Sequence, residues 1–462
     1  MSSYKKEFSN KTAVVLGFGV EGISSTRFLL ENGAKVTVAD KKRETDFDKE
    51  TVIDLGDKGV TFYFGSFPDL YQYDLIVRSP GVSLKIPELQ DISRDKITSA
   101  TKLFFDLCPC PIIGVTGTKG KGTTATLMYE MLKADVSADS AQVDNVYLGG
   151  NIGTPALDFL DQLNEKSIVV LELSSFQLID LHKSPHIAVM LMVTSEHLDY
   201  HKDIAEYVEA KRNILRHQTA SDFAVLNKDY PASNESDIET NGKLFFVSRE
   251  NEVESGCFVK EGKVVVKQNG EESDVLGTKD IMLPGKHNLE NVCAAVMAAT
   301  LAGVNKKQIV SVLKSFKGLD HRLELVRTVR GVKYYDDSFS TTPETAEAAI
   351  EAFEDPKILI LGGSSKNSDF TRLGQVIGES ENIKAIIGIG EEWRRMKVQF
   401  PVSNFHFPII EDCKTMEDVV QKASEVSEPG DVVLLSPACA SFDMFTDYKD
   451  RGNQFKNSVK DL

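Results

Sequence analysis

Apolar positions along the chain fall into short runs, separated by stretches in which they recur every three or four positions. Runs at 12–16, 35–39, 74–77, 112–115, 168–172, 187–193, 357–361, 385–388 and 432–435 predict strands. The stretches between them, such as 23–32 and 204–215, carry helical spacing. Strand and helix alternate almost throughout, which predicts α/β layers with parallel sheets. One departure is 258–268, where Glu261-Gly262 divides two strand-like halves and predicts a hairpin. The densest apolar run, 187–193, is too short to span a bilayer and reads as a buried strand.

Three strand-to-helix openings divide the chain. VVLGFGVEG lies near the start, IIGVTGTKGKGTT near residue 115, and a third region follows GLDHRLE, with KILILGG as its first clear central strand. Boundaries near 106 and 317 give three expected domains, 1–106, 107–317 and 318–462, in keeping with a length of 462 residues. The formal net charge of -16 argues against a nucleic-acid or anionic-membrane surface, while leaving room for one anionic ligand held by local donors. Residues 1–11 are polar and lack the apolar stretch of a secretion signal, so a cytoplasmic location is expected. Six scattered cysteines fit that reading as reduced thiols; Cys108-Pro-Cys110 has no second pair with which to hold zinc.

The first glycine loop, Gly17-Phe-Gly19-Val-Glu-Gly22, stands between a strand and a helix, and Asp40 ends the next strand where a ribose-binding carboxylate would sit. Ser79-Pro80-Gly81 follows a further strand and would line the same crevice. Taken alone the loop suggests a nicotinamide-dependent dehydrogenase. A UDP-sugar presents the same pyrophosphate, and a ligand-free tight turn is the plain structural alternative.

The second loop is the stronger signal. Gly114-Val-Thr-Gly117-Thr-Lys-Gly120-Lys121-Gly122-Thr123-Thr124 is fed by a strand and left by a helix. Backbone N–H groups would cradle ATP phosphates, Lys121 would place charge on the β/γ oxygens, and Thr123 is a candidate Mg²⁺ ligand. The spacing is not that of a Walker loop. Glu172 ends the strand IVVLE, either holding Mg²⁺ or solvated at a strand end; His197 follows the next strand. Lys211 falls on the apolar stripe of Ile204, Tyr207, Val208, Ile214 and Leu215. Either its stem snorkels to water or it turns toward the site, where CO₂ could make it an anionic carbamate ligand.

Together TGTKGKGTT, GGNIG at 149–153, ELSSFQL at 172–178, HLDYH with EAKRNI, PGKHNLENVCAA, LDHRLELV and DDSFSTTPE at 336–344 resemble the Mur ligase family over nearly the whole chain. The C-terminal LLSPACASFDMFTDYKDRGNQF is most similar to the glutamate-adding branch, rather than to the alanine-, diaminopimelate/lysine- or dipeptide-adding ones. The resemblance implies a Rossmann-like N-terminal domain binding the UDP substrate, a central P-loop ATPase-like domain, and a Rossmann-like C-terminal domain binding the incoming amino acid. It implies UDP-substrate contacts at Gly17, Gly19, Val20, Glu21, Asp40, Ser79, Gly81, Asn151, Ser174 and Gln177. ATP contacts would be Gly117, Thr118, Lys119, Gly120, Lys121, Gly122, Thr123, Thr124, Asn288, Asn291, Arg322 and Asp337. Two Mg²⁺ ions would be held by Thr123, Glu172, His197 and carbamylated Lys211, and glutamate by Thr341, Lys366, Ser441 and Tyr448. Lys121, Glu172, His197 and Lys211 would carry the chemistry.

The implied reaction joins D-glutamate to UDP-N-acetylmuramoyl-L-alanine through an acyl phosphate, in peptidoglycan precursor synthesis, by a monomer using ATP and no NAD. Lys119 and Gly122 stand where the family has Asn and Ser or Thr, Phe339 where it has lysine, Tyr448 where it has phenylalanine, and Met192 where it has asparagine. Phe339 leaves an L-glutamate-adding relative as an alternative. A folylpolyglutamate synthetase-like ligase and a ligase-derived ATP-binding scaffold are more distant ones.

Overall fold

The computed structural model describes residues 4–138, 143–194, 200–365, 368–400 and 405–462. These form two compact units: residues 1–278 with 290–312, and residues 279–289 with 313–462.

The first unit holds two sheets. One is all parallel, with Thr12–Leu16 central between Lys35–Asp40 and Leu75–Arg78, and with Thr61–Phe64 and Ile97–Thr98 at the edges. The other runs Glu271–Gly277, Lys263–Gln268, Gly256–Lys260, Lys243–Ser248, Phe223–Asn227, Ile187–Met190, Ile112–Thr116, Ser167–Glu172, Asn145–Gly150. Its four central strands, Phe223–Asn227, Ile187–Met190, Ile112–Thr116 and Ser167–Glu172, are buried almost completely, as the near-continuous apolar runs require. The expected hairpin is present: Lys260 pairs with Lys263 across Glu261 (φ 50) and Gly262 (φ 73), a two-residue turn with both residues left-handed. Ile112–Thr116 lies between Ser167–Glu172 and Ile187–Met190, so the loop after it leaves the middle of the sheet. The strand expected over 187–193 stops at Met190; its continuation bends to hold that loop.

The two sheets share one apolar cluster that includes Val15, Phe104, Phe159, Leu171 and Leu173, and buried polar links cross between them. Arg78 is fully buried at the end of its strand. One guanidinium nitrogen donates to the carbonyls of Pro80 and Val82 (3.2 and 2.9 Å), and the other to Phe176 O (3.1 Å) and Asp180 Oδ1 (3.0 Å). Ser24 donates to Asp158 at 2.5 Å. Gln177 Nε2 donates to Glu21 Oε1 at 2.5 Å, while Glu21 Oε2 is withdrawn from solvent without a hydrogen-bond partner among the described residues. Burial pushes the Glu21 carboxyl up to about 7, against the Gln177 hydrogen bond and the nearby Arg78 charge.

In the second unit the sheet order is Glu324–Val329, Val332–Asp336, Val432–Leu435, Lys357–Gly362, Ile383–Ile389, Ile409–Ile410, parallel except for the first pair. The leading hairpin, turning at Arg330 (φ 49) and Gly331 (φ 84), corrects the expectation that KILILGG is the first central strand. Its charged residues Glu324, Arg327 and Lys333 break the apolar run that marks the other strands. Apolar clusters line both faces of this sheet.

Two consequences follow for stability. Arg78→Ala removes the donor from Asp180 and from the carbonyls of Ser79, Pro80, Val82 and Phe176, leaving Asp180 the more distant Lys102, and should cost about 3–5 kcal/mol in chemical denaturation of the first unit; an unmoved midpoint would show that the clamp contributes nothing. A carboxyl whose folded pKa is raised stabilises most below its unfolded value near 4.5, and that contribution is lost as pH rises through about 7. Glu21→Gln keeps the acceptor for Gln177 without the titration. It should therefore gain roughly 3 kcal/mol over wild type at pH 8 and nothing at pH 4, read from paired unfolding curves.

Candidate functional site

The loop after Ile112–Thr116 opens the Lys121–Ser137 helix. Gly120 (φ 85) is its N-cap and offers no side-chain cap, so the first-turn N–H groups face outward from the helix start. A Cβ on Gly120 would also lie 2.1 Å from Asn291 Oδ1, so both backbone conformation and packing require glycine there. Asn291 accepts from Thr124 Oγ1 at 3.3 Å, which places it against the loop. Lys121 Nζ folds onto the loop's own carbonyls, Thr118 O at 2.8 Å and Gly117 O at 3.2 Å. Gly122, Thr123 and Thr124 are buried in the first turn, and Lys119 is exposed. The loop is pinned from below: Thr118 N donates to Met192 O at 2.7 Å, Thr194 N donates to Thr118 Oγ1 at 2.9 Å, and the Tyr207 hydroxyl lies 3.1 Å from the same oxygen.

Glu172 is 7% exposed, which overturns its reading as a solvated strand end. Asn151 Nδ2 donates to its Oε1 at 3.0 Å, bringing the GGNIG loop and the carboxylate together. Lys211 is 1% exposed, which overturns the snorkelling alternative. Its Nζ donates to Gly117 O at 2.7 Å and lies 4.5 Å from the centre of the Tyr207 ring. Ile204, assigned to the same stripe, is 48% exposed; the buried face is carried by Tyr207, Ala210, Lys211, Ile214 and Leu215. His197 lies outside the described residues. His201 is a residue that the pattern HLDYH contained but did not single out. Buried, it lies 2.9 Å from Ser175 Oγ through Nε2 and stacks on Phe176, tying the segment after Ile187–Met190 to the ELSSFQL turn. In that turn Ser174 and Gln177 form a capping box at the start of the Ser175–Leu178 helix.

The first glycine loop repeats the logic. Gly19 caps the Val20–Glu31 helix without a side-chain bond. A Cβ on Gly22 would fall 2.0 Å from Gly17 O, so the helix can approach the turn only with glycine there. Asp40 accepts from Phe18 N at 2.8 Å and from Lys42 N at 2.9 Å, bracing the turn as well as ending its strand. Ser79 Oγ donates to Gly17 O at 2.9 Å, so the loop carrying Ser79 and Gly81 meets the glycine turn as expected. Val20 is 71% exposed, whereas Glu21 turns inward to Gln177.

In the second unit the loops after three strands converge on Arg451, whose importance the sequence did not reveal. It is fully buried, donates to Ser338 Oγ and O (both 2.9 Å) and to Ala440 O and Cys439 O (both 3.1 Å), and burial lowers its pKa to about 10. Asp337, expected to contact nucleotide, is 2% exposed, with its oxygens accepting from Leu323 N, Ser340 Oγ and Ser436 Oγ. Its carboxylate thereby ties together the loops that carry Leu323, Ser340 and Ser436. Burial raises its carboxyl to about 7 despite those three donors and the Arg322 charge. Tyr448 begins the Tyr448–Lys460 helix, its carbonyl accepting from Ser338 Oγ at 2.7 Å, and its ring meets Phe339 edge-on at 5.1 Å. The Arg322 guanidinium lies 4.5 Å above the Phe339 ring. Ser441 is buried beside the Ala440 contact, and Thr341 lies in the loop before Pro343–Glu351. Lys366 lies outside the described residues. Asn288 starts the Asn288–Leu301 helix and donates to Pro284 O at 2.5 Å. His321, Glu324 and Asp336 form a metal-like cluster, but Lys456 pairs with both carboxylates, which makes it an ion-pair network.

Comparison with known proteins agrees with this arrangement. Residues 11–100 match the Mur ligase MurD-like N-terminal domain, 115–299 the Mur ligase middle domain and 321–439 the Mur ligase glutamate ligase domain. The chain is 38% identical to a UDP-N-acetylmuramoylalanine--D-glutamate ligase of Acetivibrio thermocellus, over 100% of this chain and 99% of that one. It is likewise 38% identical to the protein of that name from Symbiobacterium thermophilum, over 97% and 98%. Among solved structures, MurF from Acinetobacter baumannii aligns with a TM-score of 0.59 at 13% identity, over 92% of this chain and 91% of that one. A pseudomurein peptide ligase type C from Methanothermus fervidus aligns at 0.54 and 16%, over 98% and 100%. The structural matches share the fold, and the full-length sequence matches go further: the chain belongs to the Mur ligase family.

Proposed function

We propose that this chain is a cytoplasmic, monomeric, ATP-dependent amide ligase that joins D-glutamate to the carboxylate of UDP-N-acetylmuramoyl-L-alanine in peptidoglycan precursor synthesis. The carrying observation is the phosphate loop with Lys121 on its helix start, Glu172 buried at the end of the adjoining strand and Lys211 buried against the loop. The relatives' names supply the acceptor and the amino acid. In this reading residues 1–106 bind the UDP substrate, 107–317 bind ATP and 318–462 bind glutamate.

A carboxylate is a poor acyl donor at neutral pH, so the acceptor oxygen attacks the ATP γ-phosphorus, ADP leaves, and an acyl phosphate forms. The glutamate amine then attacks the acyl carbon and phosphate departs from the tetrahedral intermediate. The chain's part is positioning and charge. The Gly117–Thr124 N–H groups cradle the phosphates. Lys121 leaves the Thr118 and Gly117 carbonyls for the β/γ oxygens, offsetting the repulsion between carboxylate and phosphate. Thr123 and Glu172 offer hard oxygen donors at one strand edge, a set that suits Mg²⁺, with His197 and carbamylated Lys211 completing the donors. When bound, Mg²⁺ would neutralise phosphate charge. Thr341, Lys366, Ser441 and Tyr448 hold the incoming glutamate, a lysine and hydroxyls suiting its carboxylates by charge and by neutral donors.

The direct test incubates purified protein with UDP-N-acetylmuramoyl-L-alanine, Mg-ATP and either D- or L-glutamate. Product mass with D-glutamate alone, and ADP release abolished by several orders of magnitude in Lys121→Ala, are expected. Product with L-glutamate alone would overturn the enantiomer, and no product with either would overturn the reaction.

Lys211 gives a separate test. Lys211→Ala should lose activity and recover part of it with added acetate or formate, which can occupy the vacated space as an anion. Lys211→Arg should stay inactive, because guanidinium forms no carbamate. Wild-type turnover in the Arg variant would remove the carbamate from the mechanism.

A further inference from the structure

Two of the six cysteines form a pair outside the site described above. Cys257, Cys293 and Cys439 are buried, whereas Cys108 and Cys110 are both partly exposed, with Sγ atoms 3.6 Å apart. Cys108 is the C-cap of the Ala100–Leu107 helix, and Cys110 stands two residues before the Ile112–Thr116 strand. Pro109 between them fixes one backbone angle, so the approach of the thiols is built into a restrained segment. The separation exceeds a disulfide bond length, and among the described cysteines these are free thiols. It is nonetheless close enough that the two share a hydrogen. The Cys110 thiol beside Cys108 holds the Cys108 thiol below its ordinary range, against the effect of burial. The same partner, with burial, pushes Cys110 above its own. At 3.6 Å a thiolate on one sulfur accepts the other's S–H, so one can attack while its neighbour keeps a proton to give up later, which is the division of labour that thiol–disulfide exchange needs.

We propose that Cys108-Pro109-Cys110 is a reversible thiol–disulfide exchange site for low-molecular-weight disulfides. The Cys108 thiolate attacks one sulfur of the external disulfide; a Cys108–S bond forms, the external S–S bond breaks and one thiolate leaves. Cys110 gives its proton to that thiolate and attacks Cys108 Sγ. The Cys108–Cys110 bond forms, the mixed disulfide breaks, and the second external sulfur leaves as a thiolate that takes from water the proton Cys108 lost on ionising. Two protein thiols are oxidised and one external disulfide is reduced to two thiols, so no further oxidant is required. The site needs neither the phosphate loop nor the proposed ligase reaction, and it can be read without an activity assay.

The experiment exposes the reduced full-length protein to oxidised glutathione, quenches with acid and follows the tryptic peptide 103–119 by mass, with the peptide carrying the partly exposed Cys413 as reference. Wild type should accumulate the internal disulfide without retaining glutathione, and dithiothreitol should reverse it. Cys110→Ser should trap glutathione on Cys108, and Cys108→Ser should react at least roughly tenfold more slowly than Cys110→Ser. In unmodified protein, limited iodoacetamide should alkylate Cys108 before Cys110, a measurement that does not depend on either variant folding. A stable glutathione adduct in wild type, no change in the peptide, or alkylation of both thiols at the Cys413 rate would overturn the proposal.

Discussion

The carbonyl of Gly117 is the point on which the first unit's chemistry turns. It accepts Lys211 Nζ at 2.7 Å from beneath and Lys121 Nζ at 3.2 Å from the helix start. Until CO₂ adds to it, a buried ammonium needs oxygen partners, and here the glycine loop supplies one while the Tyr207 ring covers the cation's flank. The dependence runs both ways. Gly117 keeps its φ of 154, and a Cβ there would lie 2.8 Å from Leu191 Cβ, so the loop can reach this geometry only with glycine. Thr118 then locks the loop to Met192 and Thr194. That is why the strand from Ile187 ends early: backbone that would have continued the ladder is committed to the loop.

Much of this was legible from residue pattern. Apolar runs mark the parallel strands because those strands are buried on both faces, and glycine spacing marks the two strand-to-helix turns because each places backbone where a side chain would collide. Lys211 stood out by its place on a helical stripe, and its burial gives that placement a physical meaning. Interactions between residues far apart in sequence were not legible. Arg78 and Asp180 are separated by 102 positions, and Arg451 and Ser338 by 113. Nothing local distinguishes either arginine from a solvated one. Asp337 was singled out only through the resemblance carried by DDSFSTTPE; its burial, with Ser340 and Ser436 as donors, is a tertiary fact that no local pattern shows. The Glu324–Val329 and Val332–Asp336 hairpin was missed because its charged residues mask an edge strand's alternation.

Arg451 plays in the second unit the part that the Gly117 carbonyl plays in the first, with charge and acceptor exchanged. Four hydrogen bonds from one buried guanidinium fix loops that follow different strands, and the Ser364 N to Ala440 O bond adds a third loop to the set. A Cβ on Gly363 would approach that guanidinium at 3.1 Å and Ala440 O at 2.2 Å, so this edge too is close-packed around its polar hub. Ser441 and Tyr448 follow Ala440 and precede Arg451 in the chain, so their positions are set by the same contacts.

The departures from the family pattern can be placed on these two frames. Lys119 is exposed, so a cation in place of asparagine there needs no buried compensation. Gly122 is buried within the helix's first turn, and the hydroxyl it lacks has a neighbour in Thr123, one position on along the same turn. Phe339 is the substantive change. A lysine there would set a second cation beside Arg322; the phenylalanine instead offers its ring face to the guanidinium at 4.5 Å and its edge to Tyr448 at 5.1 Å. Repulsion between like charges is exchanged for an attractive contact with the ring face, and the Tyr448 ring, which the family's phenylalanine would equally supply, meets its edge. The change in packing therefore rests on Phe339 alone: its ring orients Arg322 where the family pattern would place a separate charge, and the hydroxyl that Tyr448 adds takes no part in that ring contact.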